Sequence, residues 1–149
     1  MATIHLPPDF KEFLRYLKIH EVEYLLVGGY AVGYYGFPRA TMDIDVWMAK
    51  TPANALRMVS ALEAFGFGGE VLSENLFLEG DKIIRMGLPP MRIEILTSVS
   101  GVDFEDAYPR RIYDQLDGVD VCLISLEDLK INKAAAGRHK DLTDLEQLP

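Results

Sequence analysis

The sequence is poor in the residues that form disulfides, zinc sites and basic surfaces. Its 149 residues include one cysteine and three histidines, the latter at positions 5, 20 and 139. A single cysteine cannot form a disulfide within the chain, and histidines this far apart do not indicate a zinc site. The formal net charge of −8 disfavours a general nucleic-acid-binding surface, because such binding draws on lysine and arginine. A net charge of −8 is still compatible with a local basic patch.

Long apolar runs are also missing. No stretch approaches the length of a membrane span, and the first ten residues lack the basic and apolar regions of a signal peptide. We therefore expect no membrane partner and a cytoplasmic location. A chain that is 49% hydrophobic and 26% charged fits one globular domain, residues 1–149, around one core.

What the sequence does contain is a pair of acids in a predicted strand. Side chains alternate between the two faces of a strand, so Asp43 and Asp45 share one face while Ile44 and Val46 lie on the other. Two neighbouring carboxylates repel each other unless a proton or a cation lies between them. Mg²⁺ is the natural cation here, because it prefers hard oxygen ligands.

The segment before these acids offers a site for phosphate. A short apolar strand ends at the pair Gly28-Gly29, where the backbone can turn and a ligand can come close. The short helix predicted next, ending at Gly36, would point free N–H groups and its positive dipole end at an anion. The order of strand, glycine pair, helix and acid pair is more specific than any of these features alone.

Together these residues resemble the signature of the DNA polymerase beta-like nucleotidyltransferase superfamily. The resemblance rests on Gly28-Gly29 and on residues 39–46, Arg-Ala-Thr-Met-Asp-Ile-Asp-Val. Among the branches of the superfamily, the chain looks most like small prokaryotic proteins related to the AbiEii and MenT toxins. The resemblance implies a nucleotidyltransferase fold of the α/β (α+β) class, a mixed β-sheet with helices packed mainly on one side. It also implies that the glycines hold nucleotide phosphates and that three carboxylates bind two Mg²⁺ ions, or Mn²⁺ in their place.

The third carboxylate is assigned to Glu94, in a strand predicted at residues 91–96. Ile93 and Ile95 share one face of that strand, and Glu94 lies on the other. In the superfamily the third acid occupies a strand at this point in the chain order, although it is more often aspartate. An exposed edge residue is the alternative interpretation of Glu94. The acids of the following segment are competing candidates: Asp103, Glu105 and Asp106.

A second set of candidates lies in the last third of the chain. Helical spacing places Lys133 on the apolar stripe of a helix that begins after Ser125. The ammonium group of Lys133 could extend past the apolar residues of this stripe to solvent, or it could reach into the cleft and bind a phosphate. We predict that it binds a phosphate. The resemblance extends through Gly137-Arg138 to Asp141 and Asp144, and implies that a lysine and a downstream acid complete the nucleotide site. The residues predicted to contact the nucleotide are Gly28, Gly29, Arg39, Thr41, Lys133, Arg138 and Asp141.

Elsewhere the patterns predict a scaffold. An amphipathic helix is predicted over residues 10–18, and Thr51-Pro52 begins another that ends near Gly66. Residues 70–75 give no clear signal, and residues 97–106 are predicted to form a loop. Asp117-Gly118 between two alternating runs predicts a β-hairpin.

The predicted function is metal-dependent nucleotidyl transfer. An acceptor hydroxyl attacks the α-phosphate of an NTP, a nucleoside monophosphate is transferred and pyrophosphate leaves. Asp43, Asp45 and Glu94 are the predicted catalytic and metal-binding residues. The acceptor is a protein, a tRNA or a small molecule, with RNA less favoured by the acidic balance. The alternative is a toxin–antitoxin partner protein, its partner encoded nearby, or a nucleotide-binding module of the same fold with little turnover.

Overall fold

A mixed β-sheet forms the centre of the molecule. The structure, a computed structural model, describes residues 4–36, 41–69, 72–87 and 92–149. These contain the strands β1 (Tyr24–Val27), β2 (Asp43–Met48), β3 (Ile83–Met86), β4 (Arg92–Leu96), β5 (Ile112–Leu116) and β6 (Val119–Leu123). Their order in the sheet is β3-β4-β2-β1-β6-β5. β2 runs parallel to β4 and β1 parallel to β6, while the other neighbours are antiparallel. The mixed sheet of the predicted α/β (α+β) class is confirmed.

Helices cover this sheet unevenly. They are α1 (Pro8–Ile19), α2 (Gly28–Tyr35), α3 (Pro52–Phe65), α4 (Glu74–Leu78), α5 (Phe104–Ala107), α6 (Leu126–Ala136) and α7 (His139–Gln147). The larger core cluster joins α1, α3 and α4 to one face of the sheet, and a smaller cluster joins α2, α5 and α6 to the other. Within the described ranges, no helix is both long and apolar enough to cross a membrane.

Local signals set several of the boundaries. The hydroxyl groups of Thr51 and Ser125 cap α3 and α6, each by accepting a hydrogen bond at 3.2 Å from the backbone N–H three residues later. The two helices end at Gly66 and Gly137, which have left-handed backbone conformations with φ of +115° and +65°. β5 and β6 pair antiparallel on either side of Asp117-Gly118. The predicted helix boundaries and hairpin are therefore confirmed.

Two short helices depart from the sequence predictions. α4 begins inside the segment that gave no clear signal, residues 70–75, and it buries Phe77. α5 lies inside the predicted loop, and its Phe104 packs edge-on against Trp47 with ring centroids 5.1 Å apart. Each helix is about one turn long and is anchored by one aromatic ring, so neither shows a helical period in the sequence.

Alternation along β2 directs its residues to both core clusters. Ile44 and Val46 belong to the larger cluster, and Trp47 belongs to the smaller one. Asp43 and Asp45 lie on the same face as Trp47, as the spacing predicted. We call this side of the sheet the site face. The acids therefore lie on the side where the hydrophobic core is smaller.

Candidate active site

Two of the predicted acids touch each other on the site face. β2 and β4 are parallel neighbours, with Asp45 directly opposite Glu94. The two carboxyl groups share a hydrogen bond. One of them must carry a proton, because two ionised carboxylates have no donor between them. Strand pairing thus brings Glu94 beside Asp45, while Asp43 lies two residues before Asp45 on the same face of β2.

Burial and crowding determine which acid holds the proton. Desolvation is the largest effect, and together with Glu94 and Asp43 it raises the pKa of Asp45 to about 8, against the opposing charge of Lys140. The hydrogen bond from Asp45 and the guanidinium of Arg85 hold the pKa of Glu94 below its ordinary value. At neutral pH Asp45 therefore carries the proton and Glu94 is ionised. A metal cation in place of that proton would compensate the buried negative charge.

Two arginines next to the acids were missed by sequence reasoning. Nε of Arg92 lies 3.2 Å from Oδ1 of Asp43, and Nε of Arg85 lies 3.0 Å from Oε1 of Glu94. Both arginine–acid contacts depend on how β2, β3 and β4 pair, so no local motif indicates them.

Among the described residues, no group of three or more His, Cys, Asp or Glu side chains is gathered as a metal site.

The predicted glycine pair lies directly beside the acids. Gly28 has a φ of +68°, and a Cβ atom added to it would lie 2.1 Å from Oδ2 of Asp45. A Cβ atom on Gly29 would lie 3.0 Å from Oγ1 of Thr41, which donates a hydrogen bond at 3.1 Å to the carbonyl of Asp43. Only glycine allows the start of α2 to approach Asp45 this closely. Gly28, Gly29 and Thr41 are thus brought together, whereas Arg39 lies outside the described residues.

Lys133 lies in a buried ion cluster. The residue is 4% exposed, and its Nζ lies 3.3 Å from Oδ1 of Asp141 and 3.1 Å from Oδ2 of Asp144. The alternative in which its ammonium group extends to solvent is therefore wrong. Because Lys133 belongs to α6 and both acids belong to α7, the cluster joins the two helices.

Asp141 also binds Arg138. Nε of Arg138 lies 2.6 Å from Oδ2 of Asp141, and the backbone N–H of Arg138 donates to the same oxygen at 3.2 Å. Despite the opposing effect of burial, Arg138 and Lys133 hold the pKa of Asp141 below its ordinary value. Asp141 therefore forms ion pairs with two cationic side chains, those of Arg138 and Lys133, and is itself almost completely buried. The side chain of Arg138 is 71% exposed, so it can also reach a ligand.

These groups surround a cleft of about 1220 Å³ on the site face. Its size suits a nucleotide together with part of a second substrate. Trp47 and the Asp45–Glu94 pair line its floor. The cations that α6 and the start of α7 contribute to its lining are Lys133, Arg138 and Lys140. The three competing acids of residues 97–106 also line the cleft, but they do not come from a strand next to β2.

Two solved structures that share this fold are described as nucleotidyltransferases. A proposed nucleotidyltransferase from Thermotoga maritima matches 96% of this chain and 94% of its own, with a TM-score of 0.62 and 15% identity. The lincosamide antibiotic adenylyltransferase LnuA, solved with lincomycin bound, matches over 98% and 97%, with a TM-score of 0.56 and 14% identity. At these identities the likeness shows the fold, and the predicted nucleotidyltransferase fold is confirmed.

The family follows from the sequence itself. Residues 9–148 match the model of a family described as nucleotidyltransferase of unknown function (DUF6036), and the chain belongs to that family. No curated protein matches the chain. The nucleotidyltransferase part of the resemblance is thereby confirmed, while the branch related to AbiEii and MenT stays a prediction.

Proposed function

We propose that the protein is a metal-dependent nucleotidyltransferase that moves a nucleoside monophosphate from an NTP to an acceptor hydroxyl and releases pyrophosphate. The observation that carries the proposal is the contact between Asp45 and Glu94 on neighbouring strands, with Gly28 packed against Asp45. The family and the fold support this class of reaction.

The chemistry of the three carboxylates suits Mg²⁺. Asp43, Asp45 and Glu94 offer hard oxygen ligands, and Asp45 holds a proton that a cation can replace. These residues would bind the two ions, with Mn²⁺ as a substitute. When bound, the ions would neutralise phosphate charge and lower the pKa of the acceptor hydroxyl.

The chain itself would bind the nucleotide and handle the proton. The backbone N–H groups in the first turn of α2, at Gly28-Gly29, would hold the outgoing phosphates. Arg138, which lines the same cleft, would offset their charge, and Arg39 is proposed to join it. Glu94 is ionised at neutral pH and would accept the proton of the attacking hydroxyl.

The acid pair is tested by combining Asp43→Asn with Asp45→Asn. Mg²⁺ with an NTP should raise the Tm of the parent protein, because a ligand of the folded state stabilises it by mass action. The double variant should lose this shift and keep a Tm close to that of the ligand-free parent, since Asp45 is already neutral at neutral pH and Asp43 is only partly buried. Differential scanning fluorimetry with each of the four NTPs measures both effects.

The matched control is Asp103→Asn with Asp106→Asn, which makes the same two substitutions elsewhere in the lining of the same cleft. This control should keep the shift produced by Mg²⁺ and NTP. A full shift in the Asp43 and Asp45 variant would place the metal site elsewhere. Loss of the shift in the control alone would assign it to the loop acids.

A further inference from the structure

The contacts of Lys133 make it a poor direct ligand for phosphate. Its ammonium group binds two carboxylates, of Asp141 and Asp144, that are each 1% exposed. If it moved to a phosphate, both acids would lose a cation that is buried with them, and breaking a buried ion pair from one side is strongly destabilising. Lys133 therefore serves to hold α7 against α6.

Lys140 has the opposite properties. It is exposed, it lines the cleft, and it forms no ion pair or side-chain hydrogen bond within the described parts of the chain. Its positive charge lowers the pKa of Asp45, and Lys140 lines the same cleft as Asp45 and Glu94. An uncommitted ammonium group in this cleft can bind a phosphate without breaking any contact in the protein.

The position of Lys140 follows from the buried cluster. Lys140 directly precedes Asp141 in the first turn of α7, and Asp141 is fixed by both Lys133 and Arg138. Adjacent residues of a helix point about 100° apart, so when Asp141 faces Lys133, Lys140 is held on a different side of the helix. All three residues line the cleft, but Lys133 and Asp141 are buried whereas Lys140 is exposed.

We propose that Lys140 binds the β- or γ-phosphate of the NTP, and that Lys133 is a positioning residue that ties α7 to α6 and so presents Lys140 to the cleft. This inference rests on the proposed function and adds a residue to its nucleotide site. The α-phosphate must lie at the acid pair to be attacked there. A cation that lines the same cleft can then meet the phosphates that leave.

The first experiment compares Lys140→Met with Arg57→Met. Arg57 is an exposed residue of α3, on the opposite face of the sheet, so the control removes the same charge far from the cleft. Isothermal titration with Mg²⁺ and each NTP should show about 10- to 100-fold weaker binding in Lys140→Met, because a charge-assisted contact is lost. Arg57→Met should bind like the parent, and Lys140→Arg should recover most of the affinity.

The number of phosphates separates a direct contact from a general effect. With the corresponding nucleoside monophosphates, Lys140→Met should bind like the parent, since the phosphate that it contacts is absent. Lys133→Met should lower the Tm as well, and because it releases the helix that carries Lys140, it should weaken NTP binding more than monophosphate binding.

Three results would overturn the inference. If Lys140→Met binds the NTP as tightly as Arg57→Met does, or if it loses affinity for the monophosphate as strongly as for the NTP, Lys140 is removed from the phosphate site and the proposed function still stands. If the parent binds none of the four NTPs with Mg²⁺ or Mn²⁺, the proposed function fails and this inference fails with it.

Discussion

At the scale of single residues, Gly28 links the backbone of α2 to the chemistry on β2. Its φ of +68° lies in the region that favours glycine, and the space where a side chain would begin is filled by the carboxyl of Asp45. The two requirements are independent, because one concerns the backbone and the other concerns a neighbour 17 positions along the chain. Any side chain at this position would displace Asp45.

Replacing Gly28 by alanine should therefore cost more than backbone strain. The left-handed conformation alone disfavours alanine by about 1–2 kcal/mol. Displacement of Asp45 should add to that cost and remove the Tm shift produced by Mg²⁺ and NTP, measured by scanning fluorimetry.

Gly137→Ala is the control for Gly28→Ala. Gly137 has nearly the same φ, +65°, but the nearest atom to a Cβ there is 3.6 Å away. This variant should lose stability and keep the ligand-dependent shift. If the two glycine variants respond to ligand equally, the contact between Gly28 and Asp45 is irrelevant to binding.

Single residues also show where prediction from sequence ends. The shared face of Asp43 and Asp45 follows from alternation along one strand, which is a local property. The bond from Arg92 to Asp43 joins residues 49 positions apart. It exists because β2 and β4 are parallel neighbours, and the chain order alone does not determine that pairing. Arg85 was missed for the same reason.

At the scale of elements, α6 and α7 are joined through charge as well as through apolar contact. Lys133 is buried on α6, and its two acid partners lie one turn apart on α7. The sequence predicted the apolar stripe of α6 and the shared face of Asp141 and Asp144. It could not show that the lysine of the first helix meets the acids of the second, because helical spacing contains no information about the angle between helices.

Lys133→Met should destabilise the protein. Two buried carboxylates would lose their shared cation, and breaking a buried ion pair from one side typically costs about 3–5 kcal/mol. Urea denaturation gives the free energy of unfolding for the variant and the parent.

Lys130→Met, also on α6, is the comparison for Lys133→Met. Lys130 is only half-buried and forms no ion pair within the described residues, so this change should be nearly neutral. A Lys133→Met protein as stable as the parent would show that the cluster contributes nothing to stability.

The elements themselves were predictable where a terminal residue marks them. The hydroxyl groups of Thr51 and Ser125 cap the starts of α3 and α6, and the two helices end at Gly66 and Gly137. Each of these signals lies within a few residues of the helix end that it sets. α4 and α5 have no such caps, since neither Ser73 nor Asp103 makes a side-chain capping bond. They form because Phe77 is buried in the core and Phe104 packs against Trp47, and those contacts exist only in the assembled molecule.

At the scale of the whole molecule, one sheet supports both core clusters. Leu26 and Val46 belong to the larger cluster, while Leu25 and Trp47, their immediate neighbours in the chain, belong to the smaller one. Neither cluster can lose its strands without disrupting the other. We therefore expect the chain to unfold as one cooperative unit.

The single tryptophan makes this expectation measurable. Trp47 is 1% exposed and reports on the smaller cluster, whereas far-UV circular dichroism reports on all helices and strands. The two signals should give the same urea midpoint, as a two-state transition requires. A fluorescence midpoint well below that of circular dichroism would mean that the site face opens before the rest of the sheet.

The alternation of β2 has a consequence for folding fidelity. If β2 shifted by one residue against its neighbours, Asp43 and Asp45 would enter the larger apolar cluster, and Ile44 and Val46 would face the cleft. Burying two carboxylates among Phe, Leu and Met side chains is prohibitively unfavourable, so the misaligned sheet could not compete with the native one. The residues proposed to bind metal thus also disfavour a shifted strand register. Selection for catalysis would therefore preserve correct strand pairing at the same time.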